Sequence, residues 1–376
     1  MFDRLFKTGL SGPPAAGTRT GAVPDAIPVT LLTGFLGAGK TTLLNAALAD
    51  PRLAGTAVIV NEFGAMPIDH ALVQTGRASI LRTSTGCLCC TASSDIRVSL
   101  YELHDAHCRG EIPPISRVII ETTGLADPAP IIHSLIPGGA PALGLRDHIV
   151  ARQFRLAGVV TVFDALSGPM MLERFVQGWK QLAFADHVVV TKTDLTVLGE
   201  ANWAGLTELN PAARYHDRAA PGFDLVHLFE GQSYSLAGKV EDVEGWLLME
   251  AEPRHGEGGE GRPALHRHGD ALGTICLSGE QPLDPGAVRV FLEAVTSAPG
   301  SGLLRLKGVF ALSDDPLRPA VAHAVEHRLS PLQRLPGWPD GDRRSRVVLI
   351  GQNMPEPQIR ALFSALAPRG RKRRFA

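Results

Sequence analysis

Several features that would define a class of protein are scarce in this sequence. Aromatic residues make up only 6% of the 376 residues, and the formal net charge is −1. No stretch reaches the ~18 apolar residues of a membrane helix, and the N-terminal segment has no apolar core long enough for a secretory signal. A near-neutral chain has no overall field that would attract nucleic acid or anionic lipid. We therefore expect a cytoplasmic, globular protein with neither nucleic acid nor membrane as a partner.

Cysteine is also scarce, but its spacing is informative. Cys87, Cys89 and Cys90 fall within four positions, whereas Cys108 and Cys276 stand alone. This spacing does not indicate a framework of paired disulfides, and it favours a reducing compartment. We interpret Cys108 and Cys276 as small apolar residues used in packing.

From Ile27 onward, short segments rich in Val and Ile alternate with segments of helical period. This alternation predicts an α/β fold, a parallel sheet with helices on both faces. The predicted strands of this first domain are 28–33, 56–60, 79–83, 117–121, 156–163 and 187–190. A smaller α+β domain is predicted from strands 273–277, 303–312 and 346–350 and from helices 285–298 and 356–367. The predicted boundaries are a flexible leader at 1–26, the first domain at 27–235, a Gly/His/Glu-rich linker at 236–270, the second domain at 271–368 and a basic tail at 369–376.

Residues 34–41 read GFLGAGKT and match the phosphate-loop pattern, between an apolar strand and a helical segment. Glycines let backbone N–H groups converge on phosphate oxygens, and the helix N-terminus adds a favourable dipole. Lys40 is expected to reach the terminal phosphates, and Thr41 to hold Mg²⁺ through its hydroxyl. The predicted phosphate-binding residues are Gly34, Gly37, Ala38, Gly39, Lys40, Thr41 and Thr42.

Polar residues follow the other predicted strands, where ligands of open α/β sheets collect. Glu121 ends a buried strand and is a candidate Mg²⁺ contact, while Gly124 could donate its N–H to the γ-phosphate. After the strand at 187–190, Lys192 could lie along a base, and the Asp194 carboxylate could accept from two guanine N–H groups. Glu62, and Asp69 further on, could contact the Mg²⁺ shell, orient the attacking water or bind a metal, and the sequence does not decide among these roles. Lys40, Thr41, Glu121 and Glu62 are therefore the catalytic candidates.

The three clustered cysteines follow a short predicted strand in the sequence GCLCC. Three thiolates suit a soft or borderline cation such as Zn²⁺ or Cu⁺, and leave a fourth ligand position for water, a histidine, a carboxylate or a ligand of a recipient protein. Redox chemistry and simple packing are the alternatives, but neither explains three thiols in four positions. His266 and His268 form a weaker candidate for metal capture, since a solvated loop explains them equally well.

The segments GFLGAGKTTLLN, NEFG, GCLCC, ETTGLADP and TKTD, in this order, resemble the CobW family of P-loop GTPases. LLRLKGVF and VVLIG are similar to the small C-terminal domain of the same family. The resemblance implies a P-loop NTPase fold, GTP and Mg²⁺ at Lys40 and Thr41, and Zn²⁺ at the three clustered cysteines. It also implies guanine recognition by Lys192 and Asp194. Two positions depart from the family pattern: Ala65 stands where Glu is frequent, and Thr191 stands where the base motif begins with Asn, which predicts the loss of a tie to the nucleotide loop.

These observations predict a GTPase that hydrolyses GTP to GDP and phosphate, slowly unless a metal or client stimulates it. The protein would carry zinc and transfer it to a client metalloprotein. Alternatives are a nucleotide-binding metal sensor or storage protein, an activator in cobalamin or cobalt/iron enzyme maturation and, more remotely, an ATP-dependent kinase.

Overall fold

The computed structural model describes residues 26–61, 79–82, 92–137, 139–230, 272–298, 302–338 and 341–367. The predicted linker, the basic tail and the leader up to residue 25 lie outside these ranges. Within the ranges, no helix is long and apolar enough to cross a membrane.

The first sheet has seven strands, and every pairing in it is parallel. Its strands are β1 (Ile27–Gly34), β2 (Thr56–Asn61), β3 (Ser79–Arg82), β4 (Arg117–Thr122), β5 (Phe154–Asp164), β6 (His187–Thr191) and β7 (Arg214–Asp217). They lie in the order β3-β2-β4-β1-β5-β6-β7. The predicted α/β class and all six predicted strands are confirmed; β7 was not predicted.

Helices cover this sheet and connect its parallel strands. They are α1 (Lys40–Ala49), α2 (Ala92–Cys108), α3 (Ala129–Leu135), α4 (Leu145–Gln153), α5 (Gly168–Arg174), α6 (Val176–Ala183), α7 (Glu200–Leu209) and α8 (His227–Glu230), with a short 3-10 helix at Pro51–Leu53. Strands β1, β4, β5 and β6 are buried almost throughout, as their continuous apolar sequences predicted. Because β1 lies between β4 and β5, a crevice for a ligand is expected beyond its carboxyl end.

The second sheet is antiparallel and belongs to the C-terminal part of the chain. Its strands are β8 (Leu272–Gly279), β9 (Leu303–Phe310), β10 (Ala320–Val325), β11 (Arg328–Leu329), β12 (Gln333–Arg334) and β13 (Ser345–Gln352), and its helices are α9 (Pro285–Ser297) and α10 (Glu356–Ser364). The order is β11-β10-β9-β13-β8, with β12 also paired to β10. The predicted smaller α+β domain is confirmed, although β10, β11 and β12 were not predicted.

This second sheet is covered on both faces. Side chains of α9 and α10 form one apolar cluster with it, which includes Phe291 and Phe363. On the other face, Leu304, Val309 and Val348 belong to a cluster that continues into the first sheet and its helices. The two parts of the chain therefore share a buried interface, and residues 231–271, which join them, are not described.

Candidate nucleotide-binding site

The phosphate loop joins β1 to α1, and its first position has room only for glycine. Gly34 has a φ of 134°, and a Cβ there would lie 2.3 Å from the carbonyl oxygen of Val162 on β5. Lys40 is 7% exposed, and its Nζ donates to the carbonyl oxygens of Gly34 and Phe35, each at 2.9 Å. The structure therefore holds the ammonium group against the loop on which phosphate binding was predicted.

The backbone at the start of α1 is arranged for an anion. Gly39 is the N-cap residue in a left-handed conformation, with a φ of 99°. Since glycine has no side chain with which to cap the helix, the N–H groups of the first turn are open to phosphate oxygens. All the predicted phosphate-binding residues, from Gly34 to Thr42, lie in this loop or in that first turn.

Two of the predicted Mg²⁺ residues are in direct contact. The Thr41 hydroxyl donates to Glu121 Oε1 at 2.9 Å, and Glu121, near the end of β4, is 6% exposed. A hydroxyl and a carboxylate are hard oxygen donors of the kind that Mg²⁺ prefers, so the two side chains fit this ion. The next residue, Thr122, donates to the Thr33 hydroxyl on β1 at 2.9 Å, which ties the ends of the two strands together.

The loop after β4 packs directly on the phosphate loop. A Cβ on Gly124 would lie 2.3 Å from the backbone nitrogen of Leu36 and 2.8 Å from its Cα. Such a close approach of two backbones requires glycine. Gly124 therefore lies against the phosphate loop, its contact with the terminal phosphate stays a prediction, and the buried amide of Gln181 on α6 holds its carbonyl oxygen.

Thr191, at the end of β6, corrects one expectation. The replacement of Asn by Thr was expected to remove a tie between the base motif and the nucleotide loop. Instead, the Thr191 hydroxyl donates to the Ala38 carbonyl oxygen at 2.7 Å and lies 3.3 Å from that of Phe163. A hydroxyl on a short side chain replaces the amide because β6 runs close enough to the phosphate loop.

Two side-chain hydrogen bonds hold the rest of the base motif in place. Lys192 has a φ of 59°, and its Nζ donates to Asp164 Oδ2 at 2.6 Å. Asp194 is exposed on the following turn, and between them Thr193 donates to Asp217 Oδ1 at 2.5 Å. The motif therefore presents an anchored lysine and an accessible carboxylate, and guanine recognition by the two remains a prediction.

Asp164 organises the lysine and was not singled out from the sequence. Its side chain is 3% exposed and also accepts hydrogen bonds from the Ser167 hydroxyl at 2.6 Å and the Leu166 N–H at 2.8 Å. Burial works to raise the pKa of Asp164, but the Lys192 ammonium and these donors outweigh it and hold the pKa below its usual value. Asp164 is therefore ionised at neutral pH. Its position at the end of an apolar strand is the signal that would have found it.

The predicted metal residues lie largely outside the described ranges. These residues are Glu62, Asp69, Cys87, Cys89, Cys90, His266 and His268. Among the residues that are described, no group of three or more His, Cys, Asp or Glu side chains could hold a metal ion. The interpretation of Cys108 and Cys276 as packing residues was wrong, because both are exposed. Cys108 is the last residue of α2 and Cys276 lies on β8 at an edge of the second sheet, and neither position requires burial.

Comparison with known proteins matches both halves of the chain to one family. Residues 28–215 match the model of the CobW/HypB/UreG nucleotide-binding domain, and residues 272–367 match the cobalamin synthesis protein cobW C-terminal domain. The chain belongs to the CobW family. This CobW protein carries the nucleotide-binding domain and the C-terminal domain in the order that the motifs predicted.

Several relatives match this CobW protein over most of their length. The zinc chaperone YjiA of Escherichia coli is 30% identical over 345 residues, which cover 91% of this chain and 99% of YjiA. The zinc chaperone CobW of a Sinorhizobium species is 27% identical and covers 90% of this chain and 97% of its own. The crystal structure of Zn(II)-bound YjiA GTPase superposes with a TM-score of 0.68 at 28% identity, again covering 91% of this chain and 99% of YjiA.

Proposed function

We propose that this CobW protein is a zinc metallochaperone. It binds Zn²⁺ through Cys87, Cys89 and Cys90, and its nucleotide state controls transfer of the ion to a client metalloprotein. The protein is a GTPase that hydrolyses GTP to GDP and phosphate. Zinc is its cargo, and GTP hydrolysis supplies the difference in free energy between the zinc-holding and the zinc-releasing states.

One observation carries the coupling between the two sites. In the register of the first sheet, Val60 pairs with Arg82 on one side and with Glu121 on the other. Neighbouring strands lie about 4.8 Å apart, so Arg82 is roughly 10 Å from Glu121. In the sequence the three cysteines follow β3, whose last residue, Arg82, lies two strands from Glu121, the residue that contacts Thr41. Asn61, the last residue of β2, pairs with Thr122, and Glu62 is the next residue in the sequence.

Nucleotide binding and hydrolysis are assigned to residues of the phosphate loop, the loop after β4 and the base motif. Lys40 and the N–H groups of the first turn of α1 hold the phosphates, and Gly124 meets the γ-phosphate. Lys192, oriented by Asp164, lies along the guanine ring while Asp194 accepts from its N–H groups. Thr41 and Glu121 would hold Mg²⁺, which when bound neutralises charge on the phosphate oxygens. Glu62 is the candidate for orienting the attacking water.

A cysteine variant tests the zinc site. Replacing Cys87, Cys89 and Cys90 together with serine should abolish tight zinc binding, measured by competition with a chromophoric chelator, while GDP affinity stays within about twofold. The double variant Cys108→Ser/Cys276→Ser is a matched control, because both thiols are exposed and should leave zinc affinity unchanged. Unchanged zinc stoichiometry in the triple variant would overturn the assignment. A change in zinc uptake rate in His266→Ala/His268→Ala would support the weaker capture role of the histidines.

A metal sensor or storage protein is the alternative, and it differs in the release step. A chaperone should release zinc to an acceptor chelator faster in one nucleotide state than in the other. A storage protein should release zinc at the same rate with GTP and GDP, with slow hydrolysis that metal does not stimulate.

A further inference from the structure

Helix α6 contacts both loops of the nucleotide site. Gly178 faces the phosphate loop, because a Cβ there would lie 2.3 Å from Phe35 Cε2. One turn later, Gln181 is 1% exposed, and its Nε2 donates to the carbonyl oxygens of Gly124 and Ala126, each at 3.1 Å. A single buried amide therefore holds two peptide groups of the loop that follows β4.

The orientation of this amide is determined by its partners. Both partners are carbonyl oxygens, which only accept, so the NH₂ group must face them, since the flipped amide would place its oxygen against two acceptors. The helix around it is fixed as well, because the Thr161 hydroxyl on β5 donates to the Gln181 carbonyl oxygen at 2.7 Å. The donor pair thus has a fixed position relative to the sheet.

These contacts fix the peptide planes on both sides of Gly124. The carbonyl oxygen of Thr123, in the preceding peptide, accepts from the Ala126 N–H at 3.2 Å, and the carbonyl oxygen of Gly124 itself accepts from Gln181. A trans peptide is planar, so fixing its carbonyl also fixes the direction of its N–H. The Gly124 N–H shares its peptide with the Thr123 carbonyl, so it is held by the bond from the Ala126 N–H. Gln181 holds the carbonyl oxygens of Gly124 and Ala126 and thereby keeps this turn in place.

A second residue of α6 holds the far end of the same loop. Lys180 Nζ donates to Asp127 Oδ2 at 2.5 Å, and Asp127 Oδ1 accepts from the Ala129 N–H at the start of α3. This ion pair is partly exposed, with 25% of the lysine side chain and 35% of the aspartate side chain accessible. It is consequently the weaker of the two attachments.

We propose that Gln181 is a positioning residue for GTP hydrolysis, which holds the turn at residues 123–126 so that its Gly124 N–H faces the γ-phosphate. The inference rests on the proposed contact between Gly124 and that phosphate. GDP has no γ-phosphate, so the loss of Gln181 should affect the triphosphate selectively. A residue that only stabilises the fold would affect both nucleotides alike.

The experiment compares Gln181→Met, which keeps the length of the side chain but removes the donor, with Asn210→Leu. Asn210 is a matched control, since its amide is also buried and donates to the carbonyl oxygens of Leu182, Ala183 and Ala185, at the end of α6 and just after it, without contacting the loop that follows β4. Gln181→Met should bind a non-hydrolysable GTP analogue about tenfold more weakly and lower kcat by a similar factor, with GDP affinity unchanged within about twofold. Asn210→Leu should lower Tm and leave the ratio of the two affinities unchanged.

Equal changes for both nucleotides in Gln181→Met, or no change for either, would overturn the inference. Should that variant fail to fold, Lys180→Met gives the same test with a smaller selective loss of about threefold. Hydrogen exchange of the backbone at residues 123–127 tests the underlying premise separately: equal exchange with the GTP analogue and with GDP would mean that the loop does not respond to the γ-phosphate, and the proposed nucleotide control would fail. Slower exchange with the GTP analogue, together with an unchanged affinity ratio in both α6 variants, would refute only the role of Gln181.

Discussion

Replacing Asp186 with asparagine should destabilise the protein more than any exposed charge change. Asp186 is 4% exposed, just before β6, and its Oδ1 accepts from Lys307 Nζ at 2.7 Å and from the Arg305 guanidinium. Its Oδ2 accepts from the Val159 N–H at 2.8 Å, and Arg305 also donates to the carbonyl oxygen of Phe184, directly after α6. Two cations of β9 therefore meet one anion inside the interface between the two sheets.

The size of the effect follows from burial and charge. Arg305 and Lys307 are 2% and 3% exposed, so Asp186→Asn would remove the negative charge that faces these two buried cations. Breaking a buried ion pair on one side costs about 3–5 kcal/mol, a large share of the roughly 5–15 kcal/mol by which proteins are stable. Burial works to raise the pKa of Asp186, but Arg305 and Lys307 outweigh it and keep the pKa well below its usual value. The carboxylate is therefore charged at neutral pH.

Urea unfolding followed by tryptophan fluorescence measures this loss. Glu356→Gln is the control, because Glu356 and Arg360 form an ion pair with half of each side chain exposed, and its loss should cost less than about 1 kcal/mol. The double variant Asp186→Asn/Lys307→Met restores the original balance of buried charge and should be more stable than Asp186→Asn alone. A loss in Asp186→Asn no larger than in the control would refute the reasoning.

Three further predictions concern the nucleotide site and pH. Thr191→Val removes the donor to the Ala38 carbonyl oxygen and should weaken GTP and GDP binding about fivefold. Thr191→Ser should restore both affinities in a binding titration. Normal affinities in Thr191→Val would show that this hydrogen bond does not support nucleotide binding. Lys40→Ala should abolish GTP turnover in a phosphate-release assay; turnover at the original rate would mean that the phosphate loop is misassigned. Burial, and then the neighbouring His216, lower the pKa of His187 to about 3. The unfolded chain therefore binds more protons between pH 6.5 and 3, and stability falls as pH falls through this window, by up to about 1.4 kcal/mol per pH unit. His187→Gln should flatten that slope in unfolding curves, and an unchanged slope would show that His187 does not titrate in this way.

The central strands and the phosphate loop could be predicted because their signals are local. Continuous apolar sequences identified β1, β4, β5 and β6, and the glycines and lysine of GFLGAGKT identified the loop between β1 and α1. Strand β7 could not be found in this way, since its four residues, RYHD, have little apolar character and are only half-buried. The pairing of β7 with β6, not its own composition, makes it a strand.

Contacts between distant parts of the chain could not be predicted from the sequence. The segment LLRLKGVF predicted a strand, yet nothing in it indicated that Arg305 and Lys307 would reach Asp186, more than a hundred residues earlier in the chain. Gln181 lies in a short helix with no recognisable motif, and its role depends on carbonyl oxygens over fifty residues away. The predicted loss of a hydrogen bond at Thr191 was wrong for the same reason, because the distance from β6 to Ala38 depends on the fold.

Zinc affinity in the two nucleotide states tests the central claim most directly. The full-length protein would be titrated with zinc against a chromophoric chelator, once with a non-hydrolysable GTP analogue and once with GDP. Nucleotide-controlled transfer predicts affinities that differ by at least about tenfold, which corresponds to a coupling free energy of about 1.4 kcal/mol. Equal zinc affinities in the two states would contradict the account, because the bound nucleotide could then not control the release of zinc.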